Sequence, residues 1–409
     1  MYLNKIILAS ILLIGCSSEK KTNEDMRLEN GNWRMEMALE EGAVLPFNFT
    51  LNKNASNWEM TIINAEEQIV VNEIEQRNDS LFIQLPIFES EFLLKIEDDK
   101  HLSGVWANYY KGDSYQIPVK ASISNDRFNT NPEISAANAE GKYAVLFSPN
   151  TEDEYNAIGM FSQNGNRLSG TFATETGDYR HLEGNATADS IFLSTFDGSH
   201  AFLFKAAITD SVLNGTFWSG THYKTNWAAS LNPEAELKDP DSLTFLNEGY
   251  DKIEFSFPNE TGKVVTLNDE KFQNKAIILQ IMGSWCPNCL DETKYFSSLY
   301  KTYKDQGLEI IALAFERTKS EEKAFENLKR LKAKTAAEYE FLLGGVTKSD
   351  KAAEKLPMLN HIMSYPTAIF INRNGDVERI HTGFYGPSTG AYYDDFVQET
   401  EALVKKMLE

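Results

Sequence analysis

The chain has 409 residues, enough for two to four domains of ordinary size, each with its own core. Hydrophobic residues make up 42% and aromatic residues 12%, which is the composition of a folded chain and not of a disordered one. The formal net charge of -21 excludes a general affinity for nucleic acid, because proteins that bind it need a clustered positive surface.

The first sixteen residues have the features of an export signal. Lys5 supplies an early positive charge, an apolar run extends from Ile6 to Ile14, and the small residue Gly15 precedes Cys16. The apolar run is too short to cross a bilayer, which takes about 20 apolar residues. We therefore expect a signal peptide over residues 1–16 and a polar tether over residues 17–30.

The end of this signal, Leu13-Ile14-Gly15-Cys16, resembles the lipobox of bacterial lipoproteins. The resemblance implies that Cys16 is acylated, becomes the mature N-terminus and anchors the protein to a membrane. Acylation would also explain the odd cysteine in an exported chain of three cysteines. The expected location is the bacterial cell envelope, facing the periplasm or on the outer-membrane surface. An ordinary signal peptide with a free cysteine is the alternative.

From Asn32 to about Leu231, apolar and polar residues alternate with a period of two. Trp33, Met35 and Met37, for example, fall on one face of such a pattern, and the residues between them fall on the other. Half-buried strands produce this alternation. The first half of the chain is therefore predicted to be all-β and antiparallel.

This β-rich region also repeats itself. The stretch "DSLFIQL" at Asp79 matches "DSIFLST" at Asp189, and "EFLLKIEDDKHLSGVW" matches "AFLFKAAITDSVLNGTFW" in the same phase. Because a slip of one residue would reverse every face of a strand, the shared phase indicates a duplicated unit. We expect unit 1 over residues 31–124 and unit 2 over residues 138–231. Each would have seven or eight strands in a small barrel or sandwich, or the two would share one larger closed sheet.

Residues 232–247 are the predicted linker, and residues 248–409 are a separate domain. After a short hairpin, the apolar run from Ala276 to Met282 predicts a central strand covered on both faces. A helix follows at once, from Pro287 to about Asp305. The later predicted elements are a strand in "GLEIIALAFE", a helix from Ser320 to Leu331, two strands in "YPTAIFINRNGDVERIHTGF" and a helix from Tyr393 to Leu408. This order predicts an α/β layer with a mixed sheet.

Cys286 and Cys289 stand three positions apart in "WCPNC". Cys286 falls at the start of the predicted helix, where unpaired amide groups and the helix dipole stabilise a thiolate. The pKa of such a thiol falls from about 8.5 to between about 3.5 and 7.5. Cys289 lies one turn further along the same face, close enough to attack a mixed disulfide formed at Cys286.

Other roles for this cysteine pair fit the sequence less well. A zinc site needs four ligands, or three and a water, and no second cysteine or histidine pair has suitable spacing. A structural disulfide that closes so short a loop constrains the unfolded chain little. A reactive pair therefore remains, and we expect neither a metal nor a cofactor apart from the redox-active disulfide of Cys286 and Cys289.

The motif "WCPNC", the following Glu292, and "YPT" at Tyr365 to Thr367 together give a specific resemblance. The domain resembles the TlpA/ResA-like class of thioredoxin-fold proteins, the membrane-tethered thiol-disulfide oxidoreductases of bacterial envelopes. The resemblance covers roughly residues 248–409, about two fifths of the chain. The β repeats resemble no family that we recognise.

The resemblance implies roles for individual residues. Cys286 would be the nucleophile and Cys289 the resolving thiol. Many thioredoxins carry a buried aspartate six positions before the first cysteine, where this chain has Gln280, which cannot transfer a proton. Glu292 is therefore the candidate catalytic base, with a solvated helix charge as the alternative. Thr293 stands where relatives often have proline, so the helix is expected to be straighter than usual.

The resemblance also implies a substrate groove. Trp285 and Pro287, on either side of the nucleophile, would line it together with Tyr365 and Pro366. Pro366 would follow a cis peptide bond and face the cysteine pair. The Tyr365 backbone would then pair with an extended substrate segment as an added strand does.

The predicted function is that of an envelope-anchored protein-disulfide reductase. Its partners would be disulfide-containing client proteins of the envelope, a membrane reductant such as a DsbD/CcdA-type protein, and the membrane itself through lipidated Cys16. The alternative is a surface or periplasmic ligand-binding lipoprotein in which the thioredoxin-like domain is an interaction module.

Overall fold

The computed structural model describes residues 28–54, 57–130, 136–209, 212–318, 320–346 and 352–409. The predicted signal peptide, the lipidation site Cys16 and most of the tether lie outside the described residues. Among the residues that are described, no helix is both long enough and apolar enough to cross a membrane.

The first half of the β region forms one nine-stranded antiparallel sheet with the strand order β4-β3-β2-β1-β9-β8-β7-β6-β5. On β1, the side chains of Trp33, Met35 and Met37 are fully buried, as the alternation predicts. The strands are β1 (Gly31–Ala38), β2 (Val44–Asn54), β3 (Asn57–Asn64), β4 (Glu67–Val71), β5 (Ile74–Arg77), β6 (Ser80–Gln84), β7 (Ser90–Ile96), β8 (His101–Asn108) and β9 (Gln116–Ile123).

A second nine-stranded sheet follows, with the order β11-β10-β18-β17-β16-β15-β14-β12-β13. Its strands β11 and β12 also pair with each other over eight residues, so this sheet closes on itself. The strands are β10 (Gly141–Phe147), β11 (Tyr155–Asn164), β12 (Arg167–Thr174), β13 (Gly177–Asp178), β14 (Leu182–Ala186), β15 (Ser190–Phe196), β16 (Ala201–Thr209), β17 (Val212–Ser219) and β18 (Tyr223–Leu231).

The two sheets confirm the expected duplication in part. In each, the first strand pairs with both the second and the last strand. The amide of Ile96 donates to Asp79 at 2.7 Å, and the amide of Ile208 donates to Asp189 at the same distance in the matching turn. The sheets differ in closure, and each has nine strands instead of the seven or eight predicted. The excess comes from short strands, such as the two-residue β13, which are too brief to show a period.

The two sheets pack against each other directly. Phe196 of β15 lies in the core of the first sheet, where its ring stacks on Phe47 with the ring centroids 4.7 Å apart. The buried Arg127 donates to the carbonyl oxygen of Ile63 at 2.9 Å and to the hydroxyl of Ser194 at 2.9 Å. The two units therefore form one continuous β region.

The C-terminal domain opens with a hairpin of β19 (Ser256–Pro258) and β20 (Val264–Thr266). A five-stranded sheet with the order β23-β22-β21-β24-β25 follows, and β21 (Ala276–Met282) is its fully buried central strand, as predicted. The other elements are β22 (Leu308–Glu316), β23 (Glu340–Val346), β24 (Thr367–Ile371), β25 (Val377–Thr382), α1 (Pro287–Tyr303), α2 (Glu321–Thr335) and α3 (Ala391–Leu408).

Two details of this domain differ from the sequence prediction. The prediction missed β23, because its sequence "EFLLGGV" has a short apolar run that ends in two glycines, which weaken a strand signal. Helix α2 continues past the predicted end at Leu331 to Thr335, whose hydroxyl donates to the Leu331 carbonyl oxygen at 2.9 Å. The last turn carries exposed lysines and so lacks the apolar period that marks a helix.

The β region and the C-terminal domain share a packed boundary. Ile87 and Phe88, in the turn between β6 and β7, belong to the hydrophobic core built around α1 and β21. The predicted linker also packs on this domain, where Asp241 accepts from the ring nitrogen Nδ1 of His381 at 2.7 Å. Its Thr244 hydroxyl accepts a hydrogen bond from Thr382 at 2.8 Å. The β region is thus held close to the edge of the sheet where the cysteine pair lies.

Candidate active site

The cysteine pair lies where β21 passes into α1. Cys286 is the N-cap of the helix, and its sulfur accepts the Cys289 amide at 3.1 Å. Pro287 occupies the first turn, where its missing amide hydrogen is not needed. The two sulfurs form a disulfide with the Cα atoms 5.3 Å apart. Cys286 is 6% exposed and Cys289 is fully buried, so only the first sulfur has access to a partner.

The loop before β24 faces this disulfide. The Tyr365–Pro366 peptide bond is cis, and the Tyr365 carbonyl oxygen lies 3.4 Å from the Cys286 sulfur. The Trp285 indole donates to the Phe315 carbonyl oxygen at 2.9 Å, and its ring meets the Tyr365 ring edge-on at 5.4 Å between centroids. The structure thus brings the residues of the expected groove together.

Glu292 lies one turn after Cys289 and is fully buried. The alternative of a solvated helix charge is therefore wrong. Its Oε2 atom accepts from the Gln280 side-chain amide at 2.8 Å, and its Oε1 atom has no hydrogen-bond partner among the described residues. Burial raises the pKa of Glu292 to about 8, against the opposing effect of the Gln280 hydrogen bond. This carboxyl group can hold or release a proton near neutral pH.

Gln280 orients the glutamate instead of carrying a proton itself. Its Nε2 atom donates to Glu292, and its Oε1 atom accepts from the Thr293 hydroxyl at 3.1 Å. Thr293, at the position where proline is common in the class that this domain resembles, therefore fixes the direction of the glutamine amide. The three side chains form one buried chain of hydrogen bonds beneath the cysteine pair.

A second buried carboxyl group, Glu316, supports the loop before the cysteines. It accepts the Ser284 amide at 2.7 Å and the Ser284 hydroxyl at 2.6 Å. Burial raises the pKa of Glu316 to about 7, although both hydrogen bonds act to lower it. The sequence motifs did not point to Glu316. The sequence feature that could have found it is a charged residue at the end of a buried strand. The carboxyl ends of the parallel strands β21 and β22 meet at one edge of the sheet, so a residue there lies near the cysteine pair.

Arg180 of the β region reaches the first turn of α1. Its guanidinium group donates to the Pro287 carbonyl oxygen at 3.1 Å and forms an ion pair with Asp291. The same group pairs with Glu67 of β4 and lies 3.4 Å from Asp197. Only 5% of the side chain is exposed. One arginine therefore joins both β sheets to the helix that carries the cysteines.

The turn between β12 and β13 lies against the other loops of the site. The Ser364 hydroxyl donates to the Thr176 carbonyl oxygen at 2.6 Å, directly before the cis peptide bond. The Asn288 side chain donates to the Asp178 carbonyl oxygen at 3.2 Å. The Asp178 carboxylate accepts the amide of Gly386 at 2.9 Å. This turn covers the site from the α1 side and leaves the partly exposed rings of Trp285 and Tyr365 as its open edge.

No group of three or more histidine, cysteine, aspartate or glutamate side chains among the described residues is placed to bind a metal ion. Ser199 of the β region donates to the Trp285 carbonyl oxygen at 3.2 Å, so the loop of the cysteine pair is fixed from this side as well. The arrangement suits thiol-disulfide exchange at the Cys286 sulfur, whose loop is held by several hydrogen bonds.

Comparison with known proteins agrees with this geometry. Residues 249–380 match the AhpC/TSA family. The thiol-disulfide oxidoreductase ResA of Bacillus thuringiensis is 32% identical over 116 residues, which are 28% of this chain and 58% of the relative. ResA of Bacillus subtilis is 37% identical over 68 residues, which are 17% of this chain and 37% of the relative. The chain thus spans 58% of the first relative's length and 37% of the second's.

Solved structures are also similar over this region. A thiol:disulfide interchange protein of the thioredoxin family from Chlorobium tepidum covers 40% of this chain and 99% of its own, at 19% identity and a TM-score of 0.30. A thiol-disulfide oxidoreductase from Bacteroides fragilis covers 36% of this chain and 99% of its own, at 18% identity and a TM-score of 0.28.

The C-terminal domain has a thioredoxin-like fold with a Cys-X-X-Cys pair at the start of its first helix. Its sequence is similar to ResA thiol-disulfide oxidoreductases over part of this domain, so the TlpA/ResA-like resemblance found in the sequence is confirmed as a resemblance.

Proposed function

We propose that the protein is a thiol-disulfide oxidoreductase. The observation that carries this proposal is the disulfide of Cys286 and Cys289 at the first turn of α1, opposite the cis bond before Pro366. Helix amides stabilise the thiolate of the first cysteine, and the second cysteine is within bonding distance of it. The names of the ResA relatives agree with this activity.

In the proposed reaction, the reduced protein attacks a client disulfide. The Cys286 thiolate bonds to one client sulfur, and the other client sulfur leaves as a thiolate. Glu292 then takes the proton of Cys289, whose thiolate attacks the Cys286 sulfur and releases the second client thiolate. Two electrons pass to the client, and the Cys286–Cys289 disulfide is the oxidised product.

We further propose that the protein works as a reductase in the cell envelope. Its lipobox-like sequence supports attachment through Cys16, and the TlpA/ResA-like domain supports a reducing role. A membrane reductant such as a DsbD/CcdA-type protein would restore the dithiol. Clients would be envelope proteins that carry disulfides.

A redox titration of the full chain tests this proposal, together with trapping of clients by Cys289→Ser. We expect an equilibrium potential near about -270 mV for a reductase, whereas an oxidant would lie near about -120 mV. The Cys289→Ser variant should accumulate mixed disulfides at Cys286, and the Cys286→Ser variant should form none. Equal accumulation in both variants would contradict the proposed roles.

The second candidate is a ligand-binding lipoprotein in which the C-terminal domain is an interaction module. The low exposure of Cys286 and the cover formed by the β region favour it. Its test is the phenotype of Cys286→Ser in the source organism. An unchanged phenotype would support the interaction module, and loss of function would support the oxidoreductase.

A further inference from the structure

The open edge of the site carries a positive rim, which consists of Lys111 and Arg317, and His222 lies against Lys111. The guanidinium carbon of Arg317 lies 3.5 Å from the centre of the Trp285 ring, next to Cys286 in the sequence. Arg317 is exposed, and it forms no ion pair with a carboxylate among the described residues. A cation stacked on an aromatic ring keeps its charge directed at the solvent beside that ring.

Lys111 is contributed to the rim by the β region. Its ammonium group lies 3.0 Å from the Nε2 atom of His222, which accepts the hydrogen bond when neutral. The neighbouring Tyr110 hydroxyl lies 3.3 Å from the Ser284 hydroxyl, so this segment is fixed on the loop that leads to the cysteines. Although the lysine side chain reaches solvent, the surrounding protein and then the Arg317 charge lower the pKa of Lys111 to about 8. The charges of Lys111 and Arg317 thus act on each other.

Two carboxylates near this rim, Asp197 and Glu316, have other partners. Asp197, whose charge acts on Lys111, is buried and lies 3.4 Å from Arg180 and 3.1 Å from the ring of His200. Glu316 is buried and turned toward Ser284. Lys111 and Arg317 thus place positive charge beside the loop of the cysteine pair, in a chain whose net charge is -21.

We propose that the rim selects disulfides that carry carboxylates beside the exchanging sulfurs, so that the preferred clients are acidic polypeptide segments. This inference rests on the proposed oxidoreductase function. A client carboxylate would bind Lys111 and Arg317 while its disulfide reaches Cys286 from the Trp285 side. The turn of β12 and β13 excludes approach from the other side. The exchange itself is the two-electron transfer described above, and the rim only orients the client.

The test compares two short peptides, each closed by one disulfide. One has glutamates next to its cysteines, and the other has glutamines at the same positions. The reduced full-length protein is mixed with each peptide, and the ratio of the two reduction rates is measured. We expect the wild type to favour the glutamate peptide, and Arg317→Gln and Lys111→Gln each to lower the ratio about three- to tenfold.

Control variants separate charge from other effects. Arg317→Lys keeps the charge and should restore most of the ratio. Lys301→Gln removes an exposed cation near the far end of α1, about 20 Å along the helix from Cys286, and should leave the ratio unchanged. High salt should reduce the wild-type ratio, because the rim is exposed and its charges are screened.

The possible failures are distinguishable. If the wild type reduces neither peptide, the proposed oxidoreductase function is contradicted, and the proposed selection of acidic clients is contradicted with it. If both peptides are reduced but their rate ratio is the same in wild type, Arg317→Gln and Lys111→Gln, the rim alone is overturned.

Discussion

Glu292 is the residue that would accept and return the proton in the proposed reaction. It is fully buried, and burial raises its pKa to about 8, which lies close to the value of about 8.5 for an ordinary thiol. Proton transfer between Cys289 and this carboxyl group would therefore cost little free energy. Gln280 holds the carboxylate at 2.8 Å and so keeps it directed along the helix. An ordinary surface glutamate would already be ionised and would be a much weaker base.

The raised pKa predicts a pH dependence of stability. The folded protein holds a proton on Glu292 between about pH 4.5 and 8, where the unfolded chain has released it, so this group contributes stability at low pH that is lost as the pH rises to about 8. In the oxidised wild type, the free energy of unfolding should fall by about 3 kcal/mol between pH 5 and 8 through this group. We expect Glu292→Gln to abolish this fall. Denaturant unfolding at several pH values measures it.

Glu322→Gln is the matched control, because Glu322 is exposed on α2. It should leave the pH dependence of the free energy of unfolding as it is in the wild type. If Glu292→Gln shows the same pH dependence as the wild type, the carboxyl group is not held protonated in the folded protein.

At the scale of elements, the decisive feature is the junction between β21 and α1. The strand is buried on both faces and cannot shift, and Cys286 caps the helix that begins directly after the loop. Glu316 fixes the loop by accepting both the amide and the hydroxyl of Ser284. The sulfur is thereby held beside the free amides of the first helical turn, which stabilise its ionised form.

This junction predicts an acidic thiol at Cys286. In the reduced Cys289→Ser variant, we expect the rate of alkylation at Cys286 to rise with pH along a curve with an apparent pKa below about 7.5, as in other cysteines at helix starts. Mass spectrometry of the digested protein reads alkylation at this cysteine alone. A curve centred near 8.5 would show that the helix start does not stabilise the thiolate.

The whole molecule is held together around the active site by Arg180. Burial opposes its charge, but Asp291, Glu67, Asp197 and Asp178 outweigh that effect and raise the pKa of Arg180. The partners come from the first sheet, the second sheet and α1. Such a centre contributes less through its net attraction than through the cost of leaving buried carboxylates unpaired.

We therefore expect Arg180→Met to lower the free energy of unfolding by about 3 kcal/mol or more, because three largely buried carboxylates lose an ion-pair partner. Arg77→Met is the matched control, since its ion pair with Glu75 is solvent-exposed, and it should change stability far less than Arg180→Met does. Chemical denaturation followed by tryptophan fluorescence compares the two. Equal effects of the two substitutions would refute the role assigned to Arg180.

The sequence was informative wherever chemistry depends on neighbours along the chain. The spacing of Cys286 and Cys289 and the apolar run of β21 predicted the helix start and the central strand. The contacts of Arg180, Lys111 and Glu316 could not be predicted in this way, because their partners lie tens to hundreds of positions away. Alternation indicates which face of a strand is buried, but it does not indicate which other domain will cover its turns.

The turn that carries Ile87 and Phe88 makes the C-terminal domain dependent on its neighbour. These two side chains complete the hydrophobic core around α1, although they come from more than 150 residues earlier in the chain. A fragment cut at the linker would lack these two side chains and would expose apolar surface next to the dithiol. Reactivity measured on such a fragment would describe a more accessible sulfur than the one that the intact chain presents.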